Sequence, residues 1–254
     1  MTFAPQSRET PFFVGYLNKV PASLVAFLGV FSVCFVAGMG LAAFMLSSTN
    51  EDPGDGAFRW GMPFEETGVL ELKPYPVFRV DGADGAPPRT YMLSGQGKRG
   101  AFGPAYEHEG MPVVLKGVPV KRGDLTMIQV GGVSATEEGG GAFETADPES
   151  LGRWRLTGEI CDGKCYAGAM RPGRGLAHKA CADLCLAGGI PPVFVSTGAV
   201  EGRTFFMMTD QNGEVLGDEI DPLLALFIEI EGDVERLDDL LIFKADFETA
   251  RVIR

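Results

Sequence analysis

One run of residues constrains this chain more than any other. From Ala22 to Leu46 there is no charged side chain, and residues 21–48 read PASLVAFLGVFSVCFVAGMGLAAFMLSS. At ~1.5 Å per residue such a helix crosses a ~30 Å hydrocarbon core with room to tilt. No polar face interrupts the run, which argues against a helix half-buried on a soluble core. A secretory leader has a shorter apolar stretch, about 7–15 residues, with a cleavage site close behind; here the run is longer and residues 1–20 precede it. The expectation is an uncleaved transmembrane anchor over 21–48. Arg8 and Lys19, with Glu9, stand before the span, and Glu51, Asp52 and Asp55 follow it. The excess of Lys and Arg predicts that 1–20 is a cytoplasmic tail and that the rest lies outside, which is the periplasm if the membrane is the inner membrane of a Gram-negative bacterium. Phe12, Phe13 and Tyr16 suit the interfacial belt. Gly38, Gly40, Ala42 and Ala43 give one stretch a small surface suited to a partner helix or to lipid, and Cys34 reads as an apolar filler.

Beyond a polar linker (49–65) the pattern changes to short apolar runs separated by turn residues. TGVLEL (67–72), PVFRV (76–80), RTYMLS (89–94), PVVLKGVPV (112–120) and LTMIQV (125–130) read as strands, broken by Asp-Gly, Gly-Gln-Gly and Lys-Arg-Gly-Asp. They define a first β unit over 66–132. Residues 133–150 are poor in apolar side chains and carry Gly139-Gly140-Gly141, the composition of a flexible linker. A second unit over 151–254 has RWRLTGEI (153–160), PVFVS (192–196), RTFFMMTD (203–210), FIEIEGDVE (227–235) and LLIFKAD (240–246), with Gln211-Asn212-Gly213 as a strong turn signal.

The two units share landmarks. Each has Thr-Gly in its first strand, Thr67-Gly68 and Thr157-Gly158. Each ends on a Gly followed at +7 and +8 by Asp-Leu: Gly117 with Asp124-Leu125, and Gly232 with Asp239-Leu240. The glycine-to-glycine span is longer by 25 residues in the second unit, close to the cysteine-bearing stretch Cys161–Cys185. The reading is a small β unit present twice, the second copy carrying an insertion over 161–190. Five short strands per unit predict a mainly β fold of two tandem OB-like barrels after the transmembrane helix. The ending from Gly232 to Leu240 and the segment KCYAGAMRPGRGLAHKACADLCLAGGIPPVFV resemble bacterial membrane-anchored envelope proteins with OB-like domains that accompany membrane oxidoreductases. The resemblance covers the second unit well and the first weakly. It implies no catalytic residues, and Cys161 lies outside its pattern.

Four cysteines, Cys161, Cys165, Cys181 and Cys185, sit close together with His178 among them. LAHKACADLCLAGG predicts a short helix ended by Gly188-Gly189 and Pro191-Pro192. Three chemistries fit the residue types. Structural disulfides suit an oxidising compartment and an even number of outer cysteines, paired either Cys161–Cys185 with Cys165–Cys181 or Cys161–Cys181 with Cys165–Cys185; loops of this size would gain ~3 kcal/mol each. A metal site of Cys165, His178, Cys181 and Cys185 has the donor types of zinc. Against it, i and i+7 lie ~10.5 Å apart on a straight helix and the pairs are C-x3-C. A redox dithiol is the third reading, although neither pair is C-x2-C and Cys181 is inside the helix. Haem attachment lacks its C-x-x-C-H motif.

Net charge is −12, which disfavours nucleic acid as a partner. The charge is uneven. Over 151–190 six bases, Arg153, Arg155, Lys164, Arg171, Arg174 and Lys179, face three acids, whereas 209–249 hold thirteen acids and two bases. The bases are the candidate partner-binding face; mutual neutralisation of the two regions is the alternative. Gly139–Gly141 lacks the G-K-[ST] of a phosphate loop, no G-x-S-x-G elbow occurs, and Asp218-Glu219 and Asp238-Asp239 read as solvated turns. Glu107-His108-Glu109 reads as surface. The sequence therefore predicts no enzyme and no resident cofactor. It predicts an accessory or assembly subunit that joins an integral-membrane respiratory or redox complex. The alternative is a redox or cofactor-handling protein that uses the Cys161–Cys185 segment for metal, haem or thiol exchange.

Overall fold

The structure is a computed structural model that describes residues 22–49, 54, 56–82, 86–136 and 147–253. The tail 1–20 with its charges and aromatics, the acids Glu51, Asp52 and Asp55, and the glycine triplet 139–141 lie outside the described residues. The chain divides into two compact units, Met1–Asp52 and Pro53–Arg254.

The first unit holds one helix, α1 (Ala22–Thr49). Leu24–Met45 within it is long and apolar enough to span a membrane. Phe27, Phe31 and Phe35 follow one another at i, i+4 and stack with ring centroids 6.1 and 6.0 Å apart.

The second unit is built from two sets of strands. The first set is β1 (Ala57–Phe58), β2 (Phe64–Glu71), β3 (Val77–Val80), β4 (Arg89–Ser94), β5 (Pro112–Arg122) and β6 (Leu125–Ala135). β2 pairs β3, β3 pairs β4, and β4 runs parallel to β6. β5 pairs both β6 and β2, so the ladder returns to its start; β1 adds to the β5 side. The second set is β7 (Glu149–Asp162), β8 (Pro192–Val200), β9 (Arg203–Asp210), β10 (Phe227–Leu237) and β11 (Leu240–Val252), a closed barrel in the order β10-β11-β9-β8-β7. Its one parallel pairing, β9 with β11, matches β4 with β6. The ten strands read from the sequence are all present, several of them longer, and β1 is an addition inside the expected linker.

The shared glycines have a common physical cause. A Cβ on Gly68 would lie 2.1 Å from the Arg79 carbonyl oxygen, and one on Gly158 would lie 2.0 Å from that of Val195. On Gly117 and Gly232 it would meet the carbonyl oxygens of Gln129 and Lys244 at 2.5 and 2.3 Å. These are places where a neighbouring strand approaches too closely for any side chain.

Three apolar clusters form. Leu70, Phe78, Leu93, Leu115 and Ile128 fill the first set of strands. Ile160, Phe194, Phe206, Ile228 and Phe243 fill the second. A third cluster lies between them and joins Tyr75, Met92, Val120 and Met127 to Cys161, Cys165, Tyr166, Cys185 and Ile190. The cysteine segment is thus part of a seam core, not a loop without apolar anchorage.

The seam also holds a polar clamp that corrects the reading of Asp238-Asp239 as a solvated turn. Arg79 on β3 donates Nε to Asp238 Oδ2 at 2.8 Å and Nη2 to Oδ1 at 3.1 Å, a bidentate fork with both side chains only 5% exposed. Thr90 donates Oγ1 to Asp238 Oδ2 and its backbone N to Asp239 Oδ1, both at 2.7 Å. Burial opposes ionisation of Asp238, but the hydrogen bonds from Arg79 and Thr90 win and hold its carboxyl below the usual range.

Candidate metal centre

The connection between β7 and β8 carries the site. β7 ends on Asp162, a buried residue whose Oδ1 accepts the backbone N–H of Cys165 at 2.8 Å. This short Asx-type bond starts a wide turn over Cys165–Ala169. The chain then returns through a 3₁₀ turn, Leu176–His178, into α3 (Lys179–Ala187). α3 is short because its polar and apolar residues alternate at helical spacing only as far as Gly188, where the helix stops.

Cys165 stands opposite α3. Its Sγ lies 3.9 Å from that of Cys181 and 3.8 Å from that of Cys185, which are one helical turn apart. A disulfide needs about 2.05 Å, and all the cysteines are free thiols. Two sulfurs bound at ~2.3 Å to one ion with a tetrahedral or trigonal angle stand ~3.8–4.0 Å apart, which is the spacing found. The ligand atoms of Cys165, His178 and Cys181 lie within 4.8 Å of one another, as do those of Asp162, Cys165 and Cys185. The spacing argument against a metal required His178 and Cys185 to meet across α3. In the fold Cys165 comes to each end instead, and His178 belongs to the turn before the helix.

Cys161 stands apart. It is buried, and its Sγ faces Glu159 Oε1 at 3.5 Å. Both disulfide pairings require Cys161, and neither is formed. The physical reason is the seam core, which holds the segment by burial without a cross-link.

His178 is buried, with Nε2 2.9 Å from Asp162 Oδ2. A carboxylate on the imidazole is the arrangement that supports metal-bound histidines. Met170 sits at the open edge, where Cys181 Sγ donates to its Sδ at 3.4 Å. The thiols differ in acidity. A hydrogen bond to Cys185, reinforced by burial, holds Cys165 far above the ordinary range; the same bond, with Lys98 nearby, lowers Cys185. Burial pushes Cys161 up.

The first set of strands supplies part of the site. Lys98, between β4 and β5, places Nζ 2.6 Å from Cys181 Sγ and 3.6 Å from Cys185 Sγ. The bond to Cys181 raises its own pKa. Gly100 N donates to Gly188 O at 2.7 Å and fixes this loop to the end of α3. Arg122 of β5 lies over the Tyr166 ring, 4.3 Å from its centroid.

The expected partner-binding bases do not gather on one face. Arg153 and Arg155 pair with Glu231, and Arg153 also with Asp246, on the outside of the second barrel. Lys164 is buried and donates to the carbonyls of Gly95 and Gly97 at 2.7 and 2.8 Å. Lys179 donates to the Asp221 carbonyl at 2.7 Å. Arg171 is exposed and Arg174 half-buried. Sequence reasoning missed Asp162, Met170 and Lys98. Asp162, three residues before Cys165, carried a readable turn signal; Lys98 is distant in the chain and carried none.

No family model matches the chain, and no curated protein and no solved structure matches it.

Proposed function

We propose that this is a membrane-anchored metal-handling protein. α1 holds it in the inner membrane with the N-terminus in the cytoplasm, and two OB-like barrels carry a soft-metal thiol centre on the periplasmic side. The observation that carries the reading is the placing of Cys181 and Cys185 sulfurs 3.9 and 3.8 Å from that of Cys165, with His178 braced by Asp162. Thiolate sulfur and imidazole are the donors that zinc and copper favour. The OB-like assignment is supported by the ladder β7-β8-β9-β11-β10, five strands with one parallel pairing, and by the same pairings in the first set. Such a barrel does not choose a function; the site does. An integral-membrane redox or respiratory complex is the natural partner, since a metal site tethered to the membrane lies where such complexes assemble.

Metal analysis of the full chain, purified in mild detergent under reducing conditions, tests this. One equivalent of metal is expected, lost in Cys165→Ala and kept in Cys161→Ala. A metal-free wild type that refuses added zinc and copper would overturn the reading. So would two disulfides, seen by intact mass after alkylation with and without reduction; the stapled accessory subunit would then take its place.

A further inference from the structure

Lys98 occupies an unusual position. Its ammonium touches Cys181 Sγ at 2.6 Å, stands 3.6 Å from Cys185 Sγ, and donates to the Cys181 carbonyl at 3.2 Å. It comes from the other set of strands and sits on the solvent side of the sulfurs. Lys164 is close in sequence to Cys165 but turned away, with Nζ on two backbone carbonyls. Among the described residues Lys98 is the cation in contact with the thiols. It puts a single positive charge against two sulfurs that both neighbour a third.

The hard donors nearby are already engaged. Asp162 gives one oxygen to the Cys165 N–H and the other to His178. What faces the open edge is sulfur: Cys181, and beside it Met170 Sδ at 3.4 Å, 44% exposed. Thiolate with thioether is the donor set of a soft monovalent ion. Zinc takes four N, O or thiolate donors, and a thioether is not among them.

Resting on the metal-handling reading, we propose that the ion is monovalent copper, seated on Cys165 and Cys181, whose sulfurs stand 3.9 Å apart, in the place of the Lys98 ammonium, with Met170 at its exit. Loading expels the Lys98 ammonium to solvent, and each cysteine that binds as a thiolate releases its proton to solvent. No electron is transferred; copper arrives and leaves as the cuprous ion by ligand exchange through Met170 and Cys181.

The test uses the full chain in detergent, without oxygen, titrated with Cu(I) against a chromophoric Cu(I) chelator and with Zn(II) against a zinc chelator. One Cu(I) per chain is expected, not displaced by excess Zn(II). An ammonium that must be expelled weakens binding, so Lys98→Leu, which adds no donor, should bind Cu(I) about fivefold tighter, the size set by an exposed charged contact. Lys98→Gln, which keeps a donor for the Cys181 carbonyl, should shift in the same direction. Amide exchange over residues 95–100 should rise on loading. Preferential Zn(II) binding would overturn the cuprous assignment and leave the metal-handling reading standing. Unchanged or weaker Cu(I) binding by both Lys98 variants would show that the ammonium does not hold the ion's place. Failure to bind either metal would sink both.

Discussion

The two sets of strands in the second unit invite comparison because they are joined in the same way and differ in what fills the joints. β2 passes to β3 through residues 72–76, whereas β7 passes to β8 through 163–191, and the three clustered thiols with His178 and Met170 lie in that longer connection. A second difference is smaller. The β5–β6 turn puts Gly123 in the left-handed region at φ +55°, and the β10–β11 turn puts Asp238 there at φ +53°. A side chain is costly in that conformation, and the second set accepts it at the residue whose carboxylate grips Arg79 across the seam. The lesson is that the two sets agree where a backbone must be packed and diverge where groups must reach across to the other set or to a ligand.

The strongest way to break this comparison is at the clamp. Asp238→Ala removes the fork and leaves Arg79 paired with Glu71, 3.0 Å away, and should cost about 2–3 kcal/mol by denaturant unfolding. Gly123→Ala, at the matching turn, should cost only about 1–2 kcal/mol, the price of the backbone conformation. Equal losses would mean that the clamp does not hold the seam.

The next test sharpens the likeness of the two sets. Gly68→Ala and Gly158→Ala each drive a Cβ to about 2 Å from a carbonyl oxygen, so the two should lose similar amounts, about 1–3 kcal/mol. A loss in one set alone would separate them.

Acid titration follows. The Asp238 carboxyl is lowered in the folded chain, so its contribution is fully present above the ordinary aspartate value of ~3.9. It fades as pH falls through the lower native value. Asp238→Asn should flatten that acid limb of stability against pH, with little change in its slope near neutrality. The smallest effect belongs to Arg155, which pairs with Glu231 on an exposed face. Arg155→Ala should leave the unfolding midpoint unmoved, because exposed pairs are screened and entropically costly.

Much of the β architecture could be read from the chain because alternation and turn residues are local signals. RTYMLS and RTFFMMTD coincide with β4 and β9. The repeated Thr-Gly and Gly…Asp-Leu landmarks mark equivalent close approaches and turns. The site was half legible. The cysteines, His178 and the helix of residues 179–187 were visible as types and spacing. Their convergence was not, because it depends on a turn that folds Cys165 back over α3 and on Lys98, more than sixty positions upstream. Cys161 misled by its position: adjacent in sequence to the others and even in number with them, it faces Glu159 instead. Asp238 and Asp239 misled in the opposite way, since two acids at a turn carry no local sign that Arg79 and Thr90 of the other set will engage them.

The contact of Gly100 with Gly188 has a consequence of its own. A Cβ on Gly188 would fall 1.8 Å from the Lys98 carbonyl oxygen, and one on Gly100 would fall 2.2 Å from that of Gly189. Main chain therefore rests directly on main chain at the rim of the thiol centre. Groups without side chains have no rotamers to lose when they meet. The distance between the two halves of the site is set by peptide geometry, and side-chain freedom is left to the one long residue, Lys98, that has somewhere else to go.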